Sequence, residues 1–309
     1  MKSIVNPLSA LAVPPAPAKS SAHVSTGPSD FRMDDVPPLL IGDLSSGRCV
    51  LFVGAGVSVG AGLPDWAAFL RRVADRAGIQ WAWGGACDEA QFQLVEAIGR
   101  DDFVRLMLPI LTLDAPPSPN FIRLCELIER ANFAALVSTN WDVLLESSGC
   151  CRQVAHLGRD DDLIDSALFQ HSTFDLVKQK PLLIKLQGDV SDPSHICVSR
   201  LDYSQTLAAK LRFLDRFTRR YSILSIGRAG GVGAKLALPP PVHLSPGAPP
   251  ILRMREFFVC NDLSDEEKRG LAEQGVTALS YSSRETDWQG NRLYLEKIVA
   301  CLQSKGSSR

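Results

Sequence analysis

The chain is predicted to be an α/β protein, a doubly wound, Rossmann-like parallel sheet with a small helical insertion. Three observations lead there. Short, continuous apolar runs alternate with stretches of helical periodicity along most of the 309 residues; strands covered on both faces read in this way. Polar clusters close several of the runs, as expected where a parallel sheet presents its ligand edge at the carboxyl ends of its strands. The first such unit, CVLFVGAGVSVGAGLPDW from Cys49 to Trp66, reads as strand, glycine loop and helix in direct succession.

Within that unit Cys49 to Val53 form the strand. Gly54-Ala55-Gly56 follow at once, and glycines recur at Gly60 and Gly62. Pro64 is expected to open the helix, because a missing N–H costs nothing at the first helical position; Trp66, Phe69, Leu70, Val73 and Ala77 give its apolar face. Glycines let the backbone turn sharply and approach a ligand, and a helix N-terminus offers free N–H groups and partial positive charge. A pyrophosphate suits that combination. A glycine-rich turn that binds nothing accounts for the glycines equally well, since the spacing is not the G-x-G-x-x-G of dehydrogenases.

Composition narrows the rest. An apolar fraction of 45% is enough for a sizeable core. A net charge of −1 supplies no basic excess to argue for nucleic acid. No stretch approaches the roughly 20 apolar residues that span a bilayer, so no membrane partner is expected. None of the eight cysteines forms a C-x-x-C pair, which removes the usual spacing of a four-cysteine zinc module; no metal is expected. Cysteines inside apolar runs fit a reducing, cytoplasmic setting. Lys2 and the apolar segment from Ile4 to Val13 faintly resemble a secretory signal, but Asn6 and Pro7 interrupt it.

Taken in order, residues 1–38 are rich in Pro, Ala and Ser and read as a disordered tail. Residues 39–305 form the domain, with a helical insertion at about 80–119. Leu39 to Leu44 make a short helix or strand. In the insertion, Asp88 to Ile98 and Asp102 to Leu111 have helical spacing, and Trp81 and Trp83 read as its packing. Asn120 to Arg130 is a further amphipathic helix. Phe133 to Val137 is the second clear strand and runs into Ser138-Thr139-Asn140-Trp141-Asp142; a helix starts at Val143 and stops near Gly149. Val154 to Leu157 is a third strand, and Asp160 to Asp162 a solvated turn. Pro181 to Leu186 is a strongly apolar strand leading to Gln187-Gly188-Asp189. His195 to Ser199 reads as another strand. A helix over Leu207 to Phe217, a strand from Tyr221 to Ile226 ending at Gly227, and a Gly- and Pro-rich loop over 228–250 follow. Glu256 to Cys260, a helix at Asp265 to Gln274, Val276 to Tyr281 and a helix from Asn291 to Leu302 complete the domain.

Four of these clusters together resemble the sirtuin-like family. GAGVSVGAGLPDW is similar to its glycine-loop signature, and STNWD (Ser138 to Asp142) to its [TS]-[TQ]-N-[YIW]-D motif. KLQGD (Lys185 to Asp189) stands where the family has K-L-H-G-[DS], and VSRLDY (Val198 to Tyr203) matches the element after it. Order and rough spacing agree from residue 48 to about 228. Because the C-x-x-C pairs of the zinc-bearing deacylases are absent, the chain looks more like the zinc-free branch of bacterial, including antiviral, defence proteins, whose members hydrolyse NAD to nicotinamide and ADP-ribose.

The resemblance implies NAD as substrate or ligand, no zinc, and a homo-oligomer or a separate sensor protein as partner. It casts Asn140 as the group that orients water or the ribose hydroxyls, and Asp142 as acceptor for the nicotinamide carboxamide. Gly54, Ala55, Gly56 and Ser58 would hold the pyrophosphate, with Gly62 and Thr139 among the cofactor contacts. Trp66 would wall the nicotinamide ribose, and Gly227 would lie near the adenosine ribose. Capping after a strand also explains Asn140 and Asp142, and core burial explains Trp66. Breaking the nicotinamide–ribose bond develops positive charge on the sugar, so an enzyme must stabilise that state and place a water.

Two departures matter. The family's histidine base is Gln187 here, and a glutamine hydrogen-bonds but takes no proton near neutral pH; losing a general base costs about 10²- to 10⁴-fold. His195 is the nearest histidine in sequence. IGRAGGVGAK replaces the family's G-Y-S-x-x-D element, on the adenosine side. Three expectations therefore stand: an NAD hydrolase weakened by Gln187, a degenerate NAD or ADP-ribose binding or sensor module, and, least favoured by the missing cysteines, an NAD-dependent protein deacylase.

Overall fold

The computed structural model describes residues 33–80, 87–112, 118–170, 180–227, 255–261, 263–273, 275–281 and 287–306. Its strands are β1 (Cys49–Val53), β2 (Phe133–Ser138), β3 (Gln153–His156), β4 (Leu182–Lys185), β5 (Ser222–Ile226), β6 (Glu256–Asn261) and β7 (Val276–Tyr281). They make one sheet in the order β3-β4-β2-β1-β5-β6-β7 with every ladder parallel. This is the expected Rossmann-like α/β architecture. The helices are α1 (Pro38–Ser45), α2 (Gly56–Gly60), α3 (Trp66–Arg76), α4 (Cys87–Ile98), α5 (Arg100–Leu111), α6 (Pro119–Arg130), α7 (Leu144–Ser147), α8 (Asp161–Asp165), α9 (Arg200–Thr218), α10 (Asp265–Glu273) and α11 (Asp287–Gly306).

Burial explains why the strands are apolar runs and not alternations. Every residue of β1, β2, β4 and β5 is buried. Along β1, Cys49, Leu51 and Val53 pack into a cluster with α1, α6 and α11, while Val50 and Phe52 pack on the other face with Phe213, Leu214 and Phe217 of α9. Successive side chains point to opposite faces of a strand, so a strand between two helix layers needs apolar residues at every position.

A third cluster positions the ligand edge. Phe69, Leu70 and Val73 of α3, Leu94 of α4 and Phe103 and Met107 of α5 pack with Trp141, Ile196 and Val198. Those last three residues lie on the loops after β2 and β4. The helical insertion is thus anchored to the carboxyl rim of the sheet, and the Gln91 side-chain amide donates to the Val198 carbonyl at 2.6 Å. Insertion residues 81–86, with Trp81 and Trp83, and 113–117 lie outside the described residues, as does the loop over 228–250.

Four local expectations are corrected. Pro64 does not open α3: Asp65 is the N-cap, its carboxylate accepting the Ala68 N–H at 2.7 Å, and the glycine loop holds its own short helix, α2. His195 to Ser199 is no strand; a 3₁₀ turn over Pro193–His195 leads by extended backbone into α9. Ser199 and Asp202 form a reciprocal capping box there, so the polar residues serve a helix start instead of a strand edge. Asp161 and Asp162 are solvent-exposed as expected, but they form the first turn of α8 instead of a free turn, where negative charge suits the helix dipole; Asp160 stands at the N-cap position with its carboxylate accepting the His156 N–H at 2.7 Å. Of the proposed tail, residues 1–32 lie outside the described residues, whereas 33–37 are held to the domain: Met33 bridges Tyr281, and Asp34 pairs with Lys268 at 3.0 Å.

Candidate functional site

The strand order sets the location. From β1 the chain passes to β2 on one side, and from β4 it returns to β5 on the other. Open parallel sheets bind ligands outside the strand carboxyl ends at such a switch point. Three loops meet there: residues 54–62 after β1, 139–142 after β2 and Gly227 after β5.

Asn140 is the centre of the cluster. Its side-chain amide donates to the Gly54 carbonyl at 3.2 Å and to Ser58 Oγ at 3.0 Å. A carbonyl only accepts, which fixes the amide orientation. Ser58 Oγ then donates to Asp142 Oδ2 at 2.7 Å. Asn140 is only 8% exposed, and its Oδ1 has no hydrogen-bond partner among the described residues. A buried acceptor left unpaired costs about 1–3 kcal/mol, so this oxygen calls for a donor beyond the described residues.

Asp142 is committed elsewhere. Besides Ser58, its Oδ1 accepts the Leu144 N–H at 3.2 Å, so the carboxylate caps the short helix α7 and holds the serine. The glycine loop is likewise occupied by its own backbone. Gly54 N–H donates to the Ile226 carbonyl, Gly56 N–H to the Gly227 carbonyl at 2.6 Å, and Val57 and Ser58 N–H to carbonyls of residues 54 and 55. Gly227 has φ +69°, and a Cβ there would stand 2.6 Å from the Val57 nitrogen. Its glycine identity follows from this close approach of β5 to the loop.

Behind the cluster lies a buried ionic network that joins the two ends of the KLQGD motif, Lys185 and Asp189, to Glu146 and His156, which belong to no motif. Lys185, 2% exposed at the end of β4, donates to the Asp142 carbonyl at 2.7 Å. Its Nζ also lies 2.8 Å from Glu146 Oε1 and 4.0 Å from Asp189 Oδ2. Asp189 in turn bonds His156 Nε2 at 2.9 Å. Arg159 Nη2 stands 2.6 Å from His156 Nδ1; a guanidinium only donates, so Nδ1 accepts and the proton sits on Nε2, facing Asp189. Burial works against ionising Asp189, but His156, Ser191 and Lys185 together outweigh it and hold the carboxyl well below its ordinary value. For Glu146 burial wins over Lys185, and its carboxyl is raised.

The predicted residues sort clearly. Gly54, Ser58, Asn140, Asp142 and Gly227 are brought together, with Ala55 and Gly56 in the same loop. Thr139 and Gln187 lie on the same rim: Ser138 and Lys185 are partners across β2 and β4, so Asn140 and Gln187, each two residues on, stand at the same level of adjoining strands. Gly62 is exposed, with open space around it. Trp66, half-buried, packs at 5.0 Å on Trp141 and stacks at 5.5 Å on Phe69, at the margin of the third core cluster. His195 is more than half exposed and pairs with Asp192 at 2.8 Å. The residues missed are Glu146, Lys185, Asp189 and His156. Signals were present for two of them: Lys185 and Asp189 bound the KLQGD motif, and a lysine inside PLLIKL, buried in a strand, requires partners.

Fold and rim together define a Rossmann-like α/β domain whose switch point carries a buried Ser–Asn–Asp cluster. No protein-family model matches the chain, and no curated protein matches it. Among the described residues no group of His, Cys, Asp or Glu is placed to hold a metal ion, and no helix is long and apolar enough to cross a membrane.

Proposed function

We propose that this domain binds NAD at the carboxyl rim of its sheet and hydrolyses it to nicotinamide and ADP-ribose, as a zinc-free, sirtuin-like enzyme. The observation that carries this reading is Asn140 Oδ1: a buried acceptor without a partner among the described residues, locked in orientation by Gly54 and Ser58. Such an oxygen suits a ribose hydroxyl or an attacking water. Holding either in fixed geometry lowers the entropic part of the barrier. In this reading the glycine loop lies under the dinucleotide and Gln187 stands beside the ribose as a hydrogen-bonding group that takes no proton.

A second reading is binding of NAD or ADP-ribose without cleavage. Gln187 favours it, as does the internal use of the glycine-loop N–H groups. Nicotinamide release from NAD by wild type, Asn140→Ala and Gln187→His decides between them. Release by wild type that is lost in Asn140→Ala supports hydrolysis without a histidine base. A silent wild type that gains activity as Gln187→His supports the binding module. Silence in all three, with no NAD binding by calorimetry, rejects both. Deacylation of an acetyl-lysine peptide only in the presence of NAD would instead bring forward the deacylase.

A further inference from the structure

Three cysteines meet where α6 passes the end of α7. Cys125 lies on α6, and Cys150 and Cys151 follow α7 in the chain. Cys150 is 1% exposed in the first core cluster, and Cys125 and Cys151, both half-buried, pack against that cluster. The Leu145 carbonyl oxygen lies 3.7 Å from Cys150 Sγ and 3.9 Å from Cys151 Sγ. Ser148 Oγ donates to Cys150 Sγ at 2.9 Å, and the Cys125 and Cys150 thiols are close enough to interact directly. The NAD reading uses none of these groups.

We propose that Cys125 and Cys150 are a redox modification site, joined in a reversible disulfide when a hydroperoxide reaches the chain. Cys125 and the Ser148 hydroxyl hold the Cys150 thiol down to about 7 against its burial. Cys125 is held up by the Cys150 sulfur and by burial, so the pair carries its negative charge on Cys150 and its proton on Cys125. Cys125 is the more exposed of the two and meets the oxidant. As its sulfur attacks one peroxide oxygen, the Cys150 thiolate takes its proton and hydroxide leaves, giving a sulfenic acid at Cys125. The Cys150 sulfur then attacks the Cys125 sulfur, and the hydroxyl departs as water with the Cys150 proton. The two sulfurs together lose two electrons and the peroxide gains them. Cys151 is the poorer partner. Burial pushes its thiol up to about 11, and consecutive Cα atoms stand about 3.8 Å apart, below the roughly 4.4 Å at which disulfides begin.

The reduced full chain, treated with hydrogen peroxide, alkylated and digested with trypsin, tests this by mass spectrometry. Cleavage after Arg123, Arg130 and Arg152 places Cys125 in one peptide and Cys150 with Cys151 in another. The two peptides should appear joined through Cys150, with Cys151 alkylated, and a reductant should separate them. Cys125 and Cys150 should be lost to alkylation at least about tenfold faster than Cys301, a half-buried cysteine outside the cluster. Cys151→Ser should leave the link intact, and Cys125→Ser should abolish it. Loss of Cys125 and Cys150 no faster than Cys301, a sulfenic acid at Cys125 that never becomes a link, or a link through Cys151 overturns the proposal.

Discussion

The side-chain amide of Asn140 lies 3.0 Å from the hydroxyl oxygen of Ser58, a residue 82 positions earlier in the chain. That hydroxyl donates its own hydrogen bond to Asp142 at 2.7 Å. The serine therefore joins the two motif loops and sets which way the asparagine faces. Removing it, as Ser58→Ala, leaves a buried carboxylate oxygen and a buried amide each short of one partner. A loss of about 1–3 kcal/mol is expected, read by urea unfolding. Under the proposed NAD hydrolysis, nicotinamide release should fall with it, because Asn140 Oδ1 is no longer held in place. Unchanged stability would show that the bridge is replaced by solvent.

Lys185 carries a larger share of stability. Lys185→Met keeps the length of the side chain but strips the cation from Glu146 and Asp189. Breaking a buried pair from one side costs about 3–5 kcal/mol, a large part of the roughly 5–15 kcal/mol of a typical domain. Combining it with Glu146→Gln should recover part of the loss, since a neutral amide no longer needs the cation. Additive losses in that double variant would show that the two side chains are not coupled.

Gly227 and Gly62 separate backbone strain from crowding. Both have positive φ, +69° and +106°. Around Gly62 nothing lies within 4 Å of a built Cβ, whereas at Gly227 the Val57 nitrogen stands at 2.6 Å. Gly62→Ala should cost only the conformational term, about 1–2 kcal/mol. Gly227→Ala should cost clearly more and also disturb the Gly56–Gly227 hydrogen bond. Equal losses in thermal or chemical unfolding would contradict the close packing of β5 on the loop.

Acid should act through Asp189. Its folded-state value is depressed below its ordinary 3.8. A carboxyl of this kind contributes stability that is fully present well above the unfolded value, and loses it as pH falls through that value toward the folded one. Wild type should therefore lose stability from about pH 5 downward. In Asp189→Asn the whole curve should sit lower and its acid limb should be flatter. Parallel acid limbs in urea-melt series from about pH 6 to about pH 3 would rule out Asp189 as the group responsible.

Much of the scaffold was legible because its signals are local. Leu182, Leu183 and Ile184 mark a strand wherever they fall, and α5 and α6 show their apolar faces at helical spacing. Ser58, Asn140 and Asp142 were picked out by the order of two motifs. Where the reading failed, a polar residue had two local uses. His195 to Ser199 has strand-like composition, yet Ser199 and Asp202 cap a helix; Pro64 suits a first turn, yet Asp65 takes the cap.

Along the chain, apolar periodicity and turn chemistry settle which segments become strands and helices, since each such signal is complete within about a dozen residues. Partnership across the sheet obeys another rule. Lys185 touches Glu146, and His156 touches Asp189, only because β3, β4 and β2 lie side by side in an order that their sequence numbers do not follow. The same ordering engages both carboxylate oxygens of Asp142 and leaves Asn140 Oδ1, buried, without a hydrogen-bond partner among the described residues. Which oxygens remain unpaired depends on the sum of all neighbours in three dimensions, a quantity that long-range packing sets and no short stretch of residues contains.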